Sequence, residues 1–199
     1  VVMTHDSLDH VGGVVDILGR FPVGVVLHPP DPVDGWPPAA RAAIDAARRR
    51  GGPVREIPTG TRLRLGRWRG RVLSPAGRRP LGADPNPYSL VALASEDGLT
   101  ALLTADAESD ALSHLVIGPV DVLKVSHHGS EDAGLPDELT RLRPRVALVS
   151  AGADNPFRHP RPQTLAALAA ARVRVWRTDL SGSVTVTSPR GVLVVAGTR

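Results

Sequence analysis

The apolar positions fall in short runs separated by Pro- and Gly-rich turns, the pattern of a chain that alternates strands and helices. Val1 to Met3 predicts the tail of a buried strand. Apolar residues at helical spacing over Val11–Leu18, after Gly12-Gly13, predict a helix. Gly24–Leu27 predicts a short strand. The following HPPDPVDGWPP predicts a loop, because proline at nearly every second position blocks both regular ladders. AARAAIDAARRRGG predicts a helix that stops at Gly51-Gly52, with Arg48–Arg50 suiting the negative end of its dipole. Val54–Ile57, Arg62–Leu65 and Arg69–Leu73 alternate and predict strands joined by turns.

SPAGRRPLGADPNP predicts another loop. Ser89–Ser95 and Thr100–Thr104 predict a strand pair turned at Glu96-Asp97-Gly98. Ala107–Leu115 predicts a helix, Val120–Val125 a buried strand, Pro136–Leu142 a short helix and Arg145–Ser150 a strand. Helix Pro162–Ala171 leads to strand Val173–Arg177, and strands Ser183–Thr187 and Val192–Ala196 finish the chain. No internal repeat or long linker interrupts this order, so residues 1–199 predict one layered α/β domain.

Composition narrows the chemistry. With 42% hydrophobic and 22% charged residues the chain is ordinary globular material. Aromatics are only 3%, so the core must rest on Val, Leu, Ala and Ile. The absence of cysteine excludes disulfides and thiolate metal sites. Any metal must sit on histidine and carboxylate, which favours zinc, manganese or iron over softer-ligand chemistry. The formal charge of +4 is compatible with a polyanionic partner and equally with a solvated basic surface. No stretch is apolar and long enough for a transmembrane span, and the start lacks the form of a signal peptide.

The candidate ligands follow predicted strands. His5, Asp9 and His10 come after Val1–Met3, Asp106 ends TALLTAD, His127 and His128 end DVLKVSHHGS, and His159 follows RVALVSAG. The carboxyl ends of strands are where α/β sheets place their sites, so these residues can converge on one metal centre. A carboxylate bridging two metals, with histidines on each side, fixes a hydroxide between them, and Asp106 is the candidate for that bridge. His28, His114, Asp97, Asp110 and Asp179 are read as structural or solvated residues.

THDSLDHVGG resembles the His-x-(His/Asp)-x-Asp-His signature of the metallo-β-lactamase fold, and LLTAD resembles its later Thr-Gly-Asp strand end. DVLKVSHHGS, NPFRHP and VWRTDLSGSV, with NPYSLV ahead of them, resemble the C-terminal hydrolase domain of ComEC-type competence proteins, the membrane channels for DNA uptake. The resemblance implies a four-layer αβ/βα sandwich that here lacks its first strands. It implies one or two divalent ions, zinc or manganese. His5 would bind the first and Asp9 and His10 the second, with Asp106 bridging and His127 as the late ligand. His128 would touch the substrate phosphate or donate a proton, joining Asp9 and Asp106 in catalysis, and His159, Asn86 and Asn155 would stand around the substrate.

The implied function is a metal-dependent phosphodiesterase, a nuclease acting on single-stranded DNA. It would sit beside the channel part of the same or a partner protein, on the outer face of the cytoplasmic membrane. Two alternatives stand beside it: a free-standing, cytoplasmic hydrolase of a small ester or phosphoester, and a non-catalytic remnant. Two departures bear on the choice. Ser7 replaces the middle His or Asp of the early signature, and a hydroxyl is a poor ligand, so the first metal site is weakened. Ala105 replaces the glycine of Thr-Gly-Asp, a small change expected to be tolerated. ComEC-type domains also carry strands and an Asp-Val-Gly-Gln-Gly-Asp stretch ahead of the first histidine. The chain is therefore expected to be either a fragment of a longer protein or a truncated gene product, with an exposed apolar face and poor solubility or association in isolation.

Overall fold

A computed structural model describes residues 1–199, the side chain of Arg190 excepted. The N-terminal part builds a small parallel sheet. Val2 bridges Leu27 of β1 (Val26–His28), and β1 pairs in parallel with β2 (Val54–Glu56). Strand alternation sends Val26 outward, against Met3, Val11, Val14 and Ile44, and Leu27 inward, toward Ile57, Val72 and Leu90. The outer cover consists of α1 (Leu8–Val11), α2 (Val14–Arg20) and α3 (Pro38–Arg49). The helix expected after Gly12-Gly13 is α2, and a separate single turn, α1, ends at Val11 just before the glycines. In α3 the buried residues are Ala40, Ala43, Ile44, Ala46 and Ala47, mostly alanines that let the helix lie close on the sheet.

The main sheet has seven strands in chain order: β3 (Arg62–Leu65), β4 (Trp68–Ser74), β5 (Val91–Glu96), β6 (Leu99–Leu103), β7 (Val122–Lys124), β8 (Val146–Val149) and β9 (Arg174–Arg177). β3 to β6 run antiparallel and β6 to β9 parallel. The β5–β6 turn has Asp97 and Gly98 at φ 47° and 84°, the two left-handed residues of a tight hairpin. Helices α4 (Ser109–Leu112), α5 (Leu135–Leu142) and α6 (Pro162–Ala170) connect the parallel strands. They bury Leu112, Leu139 and Leu168 against Leu102, Leu123 and Val149. The helix expected over Ala107–Leu115 is shorter. The Ala107 N–H closes a turn on the Thr104 carbonyl, and Asp132 accepts from the Ser109 N–H, so the helix begins only at Ser109.

The opposite face of the sheet carries two covers. After α7 (Thr178–Ser181), the hairpin of β10 (Val184–Thr187) and β11 (Val194–Gly197) packs Val186, Leu193 and Val195 on Leu99, Val122 and Val146. The β1–β2 piece covers Leu63, Val72 and Ala92. The layers therefore run helix, seven-stranded sheet, sheet pieces, helix. Between the two covers lies an apolar trough of about 510 Å³. The row Leu63–Gly70–Ala94–Ala101 forms its floor, and Leu65 and Leu103 stand exposed at its sides. Among the described residues, no helix is long and apolar enough to cross a membrane.

Candidate metal centre

The parallel strands deliver their carboxyl ends to one place. Asp106 follows β6, His127 and His128 follow β7, and His159 lies in the loop after β8. The turns at these ends use left-handed backbone on residues other than glycine: Ala105 (φ 50°), His127 (46°), His128 (55°) and Arg158 (57°). Side chains rarely adopt that region, and such strain collects where a site dictates side-chain direction. The His127 N–H donates to the Ala105 carbonyl (3.0 Å), tying two of these turns together. Gly129 has φ 84°, and a Cβ there would lie 2.7 Å from Pro160, so the small residue after the two histidines lets the His159 loop close on them.

The Asp106 carboxylate is buried and faces histidines on both sides. Its Oδ1 lies 3.1 Å from His10 Nε2 and 3.6 Å from His128 Nε2. Its Oδ2 lies 3.5 Å from His5 Nε2 and 4.0 Å from His127 Nε2. Asp9, at the surface, puts Oδ2 3.2 Å from His128 Nε2 and 3.8 Å from His10 Nε2. One atom each from Asp9, His10, Asp106 and His128 falls within 4.8 Å of the others, a span that one ion can hold together. Burial alone would raise the Asp106 carboxyl, but His10 and His5 outweigh it and hold it far below the usual carboxylate range.

The donor set fits a divalent cation. His5 Nε2 and Asp106 Oδ1 are buried with no hydrogen-bond partner, which leaves two desolvated polar atoms uncompensated. The second nitrogens fix the tautomers. His128 Nδ1–H donates to the Ser150 carbonyl (2.8 Å), so in the neutral ring Nε2 keeps its lone pair. His127 Nδ1–H donates to Glu108 (2.9 Å), which also accepts from the Ser130 hydroxyl. The Thr4 hydroxyl lies 3.2 Å from both His5 Nδ1 and His10 Nδ1, and its oxygen has two lone pairs to accept both N–H groups. Four imidazoles thus turn Nε2 toward one carboxylate, with His10 Nε2 and His128 Nε2 3.1 Å apart, as outer partners arrange them in metal sites. The Glu108 hydrogen bond raises the His127 pKa, and the same contact lowers that of Glu108.

Each expected residue has a definite place. His5, Asp9, His10 and Asp106 come together as described. His128, expected at the substrate, stands in the four-residue group with both nitrogens committed. His127, expected as the late ligand, lies on the other side of Asp106, facing a groove. Ser7 precedes α1, and its side chain caps nothing. Asp6 turns away from the centre, into a buried ion triad: Arg79 Nη2 donates to it at 2.7 Å and lies 2.9 Å from Asp31, which also accepts from Trp36 Nε1. His28 donates to the Pro29 carbonyl. Asp179 chelates Arg177.

The groove, of about 510 Å³, opens beside His127 and takes in Asn86 and His159. Asp84, Glu108, Asp110 and Glu131 give it a strongly acidic wall. Burial and the neighbouring His127 and His128 push His159 below its ordinary pKa. Asn155 does not enter the groove's wall. Its amide nitrogen donates to the Gly152 and His159 carbonyls and its oxygen accepts from the His159 N–H (2.8 Å each), so it clamps the loop instead.

Sequence reasoning missed Thr4, Glu108 and Lys124. Thr4 and Glu108 orient ligands through hydrogen bonds that no spacing announces. Lys124 is the sole lysine, and burial lowers its pKa to about 8 against the attraction of Asp106. That uniqueness is the one signal in the sequence that could have marked it.

No protein-family model matches the chain. Curated relatives do. The chain is 31% identical over 188 residues to ComE operon protein 3 of Bacillus subtilis, covering 92% of this chain and 24% of that protein. It is 29% identical over 191 residues to Recombination protein 2 of Haemophilus influenzae (94% and 22%), and 26% identical over 200 residues to Competence protein ComA of Neisseria gonorrhoeae (96% and 25%). The chain thus spans about a quarter of the length of the curated relatives it matches. Among solved structures, the CmlA beta-hydroxylase E377D mutant aligns with TM-score 0.57 and 17% identity over 88% of this chain and 42% of that one. Zn²⁺-bound PqqB from Methylobacterium extorquens aligns with TM-score 0.54 and 13% identity over 89% and 70%. With the ligand-bearing strand ends and the helix–sheet–sheet–helix layering, these similarities make the chain a metallo-β-lactamase-fold domain homologous to part of the ComEC-type competence proteins.

Proposed function

We propose that this chain is the metal-dependent phosphodiesterase domain of a ComEC-like DNA-uptake protein, cleaving single-stranded DNA beside the channel on the outer face of the cytoplasmic membrane. The observation that carries the reading is the Asp106 carboxylate, with one oxygen toward His10 and His128 and the other toward His5 and His127. Asp9, His10, His128 and Asp106 would hold one zinc or manganese ion tightly. His5, His127 and Asp106 would hold a second loosely, because Ser7 brings no strong ligand. A metal held by these residues would supply an acidified water and charge stabilisation at the attacked phosphoryl oxygen.

The chain's own residues do the rest. Thr4, Glu108 and the Ser150 carbonyl keep the imidazoles in the ligating tautomer. His159 and Asn86 face the substrate in the groove. His128, with its Nδ1–H on the Ser150 carbonyl, would hold metal through Nε2 and would not donate a proton.

The test is cleavage of a labelled single-stranded oligonucleotide by chain stripped of metal and reloaded with Mn²⁺. Cleavage is expected with the wild type and a loss of at least about a hundredfold with Asp106→Asn or Asp9→Ala, the order of a lost catalytic group. Reloaded protein that leaves the oligonucleotide and simple phosphodiesters intact would overturn the reading.

A further inference from the structure

The loop Asn155–Pro160 holds an aromatic side chain where nothing in the fold needs one. Phe157 is one of two phenylalanines in the chain and is 69% exposed, yet it lines the groove beside the metal centre. Its ring lies 6.0 Å from that of His159, tilted by 35°. The His159 ring lies 5.7 Å from that of His127, nearly perpendicular. Three rings thus lead from the lip of the groove to the Asp106 carboxylate.

The loop is pinned on both sides. The Asn155 side chain makes two hydrogen bonds to His159 within it and one to the Gly152 carbonyl before it, and the Arg161 N–H donates to the Gly129 carbonyl (2.8 Å), joining it to the turn of His127 and His128. Arg158, exposed next to Phe157, is held in left-handed backbone. A hydrophobic ring fixed at an aqueous lip gains nothing from the core, whereas a planar ligand stacked on it removes both faces from water. Arg158 and Arg161 alternate with the rings along the chain, the interleaving of charge and aromatics that tracks a single nucleic acid strand.

We propose that Phe157, with His159 behind it, is a nucleobase-stacking subsite that seats the nucleotide next to the scissile phosphate and so selects unpaired nucleic acid over other phosphodiesters. This rests on the phosphodiesterase reading above. A base in a duplex is already stacked on both sides, so only a single-stranded or splayed nucleotide can use the ring.

The test compares Mn²⁺-loaded chain on oligothymidylate and on an abasic oligomer of the same length. The wild type is expected to prefer the base-containing oligomer in kcat/KM, mainly through a lower KM. Phe157→Ala is expected to reduce that preference about tenfold, the size of one lost base–aromatic stack. Phe157→Trp is expected to keep it. An unchanged preference in Phe157→Ala would overturn the subsite while leaving the phosphodiesterase reading intact. If neither oligomer is cut by the wild type, that reading fails, and the fluorescence of Phe157→Trp titrated with oligothymidylate decides the subsite alone. Quenching upholds it, and a flat titration overturns it.

Discussion

Ala105 shows how a single residue is bent to the service of its neighbour. The chain must turn sharply after β6 to aim Asp106 inward, and Ala105 takes φ 50° to do so. A left-handed conformation costs a residue with a Cβ about 1–2 kcal/mol, a cost glycine escapes. The sequence reading treated the methyl as a small steric matter, whereas the structure makes it a backbone matter. Ala105→Gly is expected to stabilise the fold by about 1 kcal/mol, read as a raised midpoint in urea. An unchanged or lowered midpoint would show that the turn is not strained. That His5, Asp9, His10 and Asp106 converge on one place was legible from strand ends and motif. The division of labour between His127 and His128 was not. Adjacent residues at left-handed φ point apart, and only the Glu108 and Ser150 partners determine which ring faces which side of Asp106.

At the scale of elements, the end of the sheet opposite the metal centre is laced by Asp121. Its carboxylate accepts from the Thr100 N–H (2.9 Å) and hydroxyl (3.0 Å) and meets Arg145 at 3.3 Å, so β6, β7 and β8 start in register. Burial acts to raise its pKa, but these partners prevail and lower it below the ordinary value. A depressed folded pKa contributes stability above the unfolded value of about 3.9, and that contribution is lost as pH falls through the folded value. Asp121→Ala is expected to cost about 1–3 kcal/mol near neutral pH. The gap to wild type should close as the unfolding series is carried below about pH 4. A gap that persists undiminished in acid would place the effect in packing.

Strand order and most helices were readable from periodicity, because each parallel strand is a short apolar run bounded by turn residues. Element ends were not. The shortening of α4 depends on the local turn of the Ala107 N–H on the Thr104 carbonyl and on the distant Asp132 carboxylate accepting from the Ser109 N–H.

In the whole molecule, charge is distributed against intuition. The protein is basic overall at +4, yet the groove beside the metal centre carries Asp84, Glu108, Asp110 and Glu131. A polyanion approaching that wall is repelled unless bound cations reverse the local sign. Binding of single-stranded DNA to this face, and not only its cleavage, is therefore expected to require metal. Fluorescence anisotropy with and without chelator measures it, and equal affinity in both conditions would locate the DNA elsewhere. The trough between the two covers of the sheet is an apolar surface. Its small-residue floor emerges only when β3 to β6 are set in register.

The most direct measurement is a metal titration of the stripped chain, followed by native mass spectrometry. The account predicts one ion that survives dialysis, a second that appears only in excess metal, and loss of the tightly held ion in His128→Ala but not in His127→Ala. A wild-type chain that retains no metal, or a His128→Ala variant that keeps the tight ion, would contradict a centre built on the two sides of Asp106.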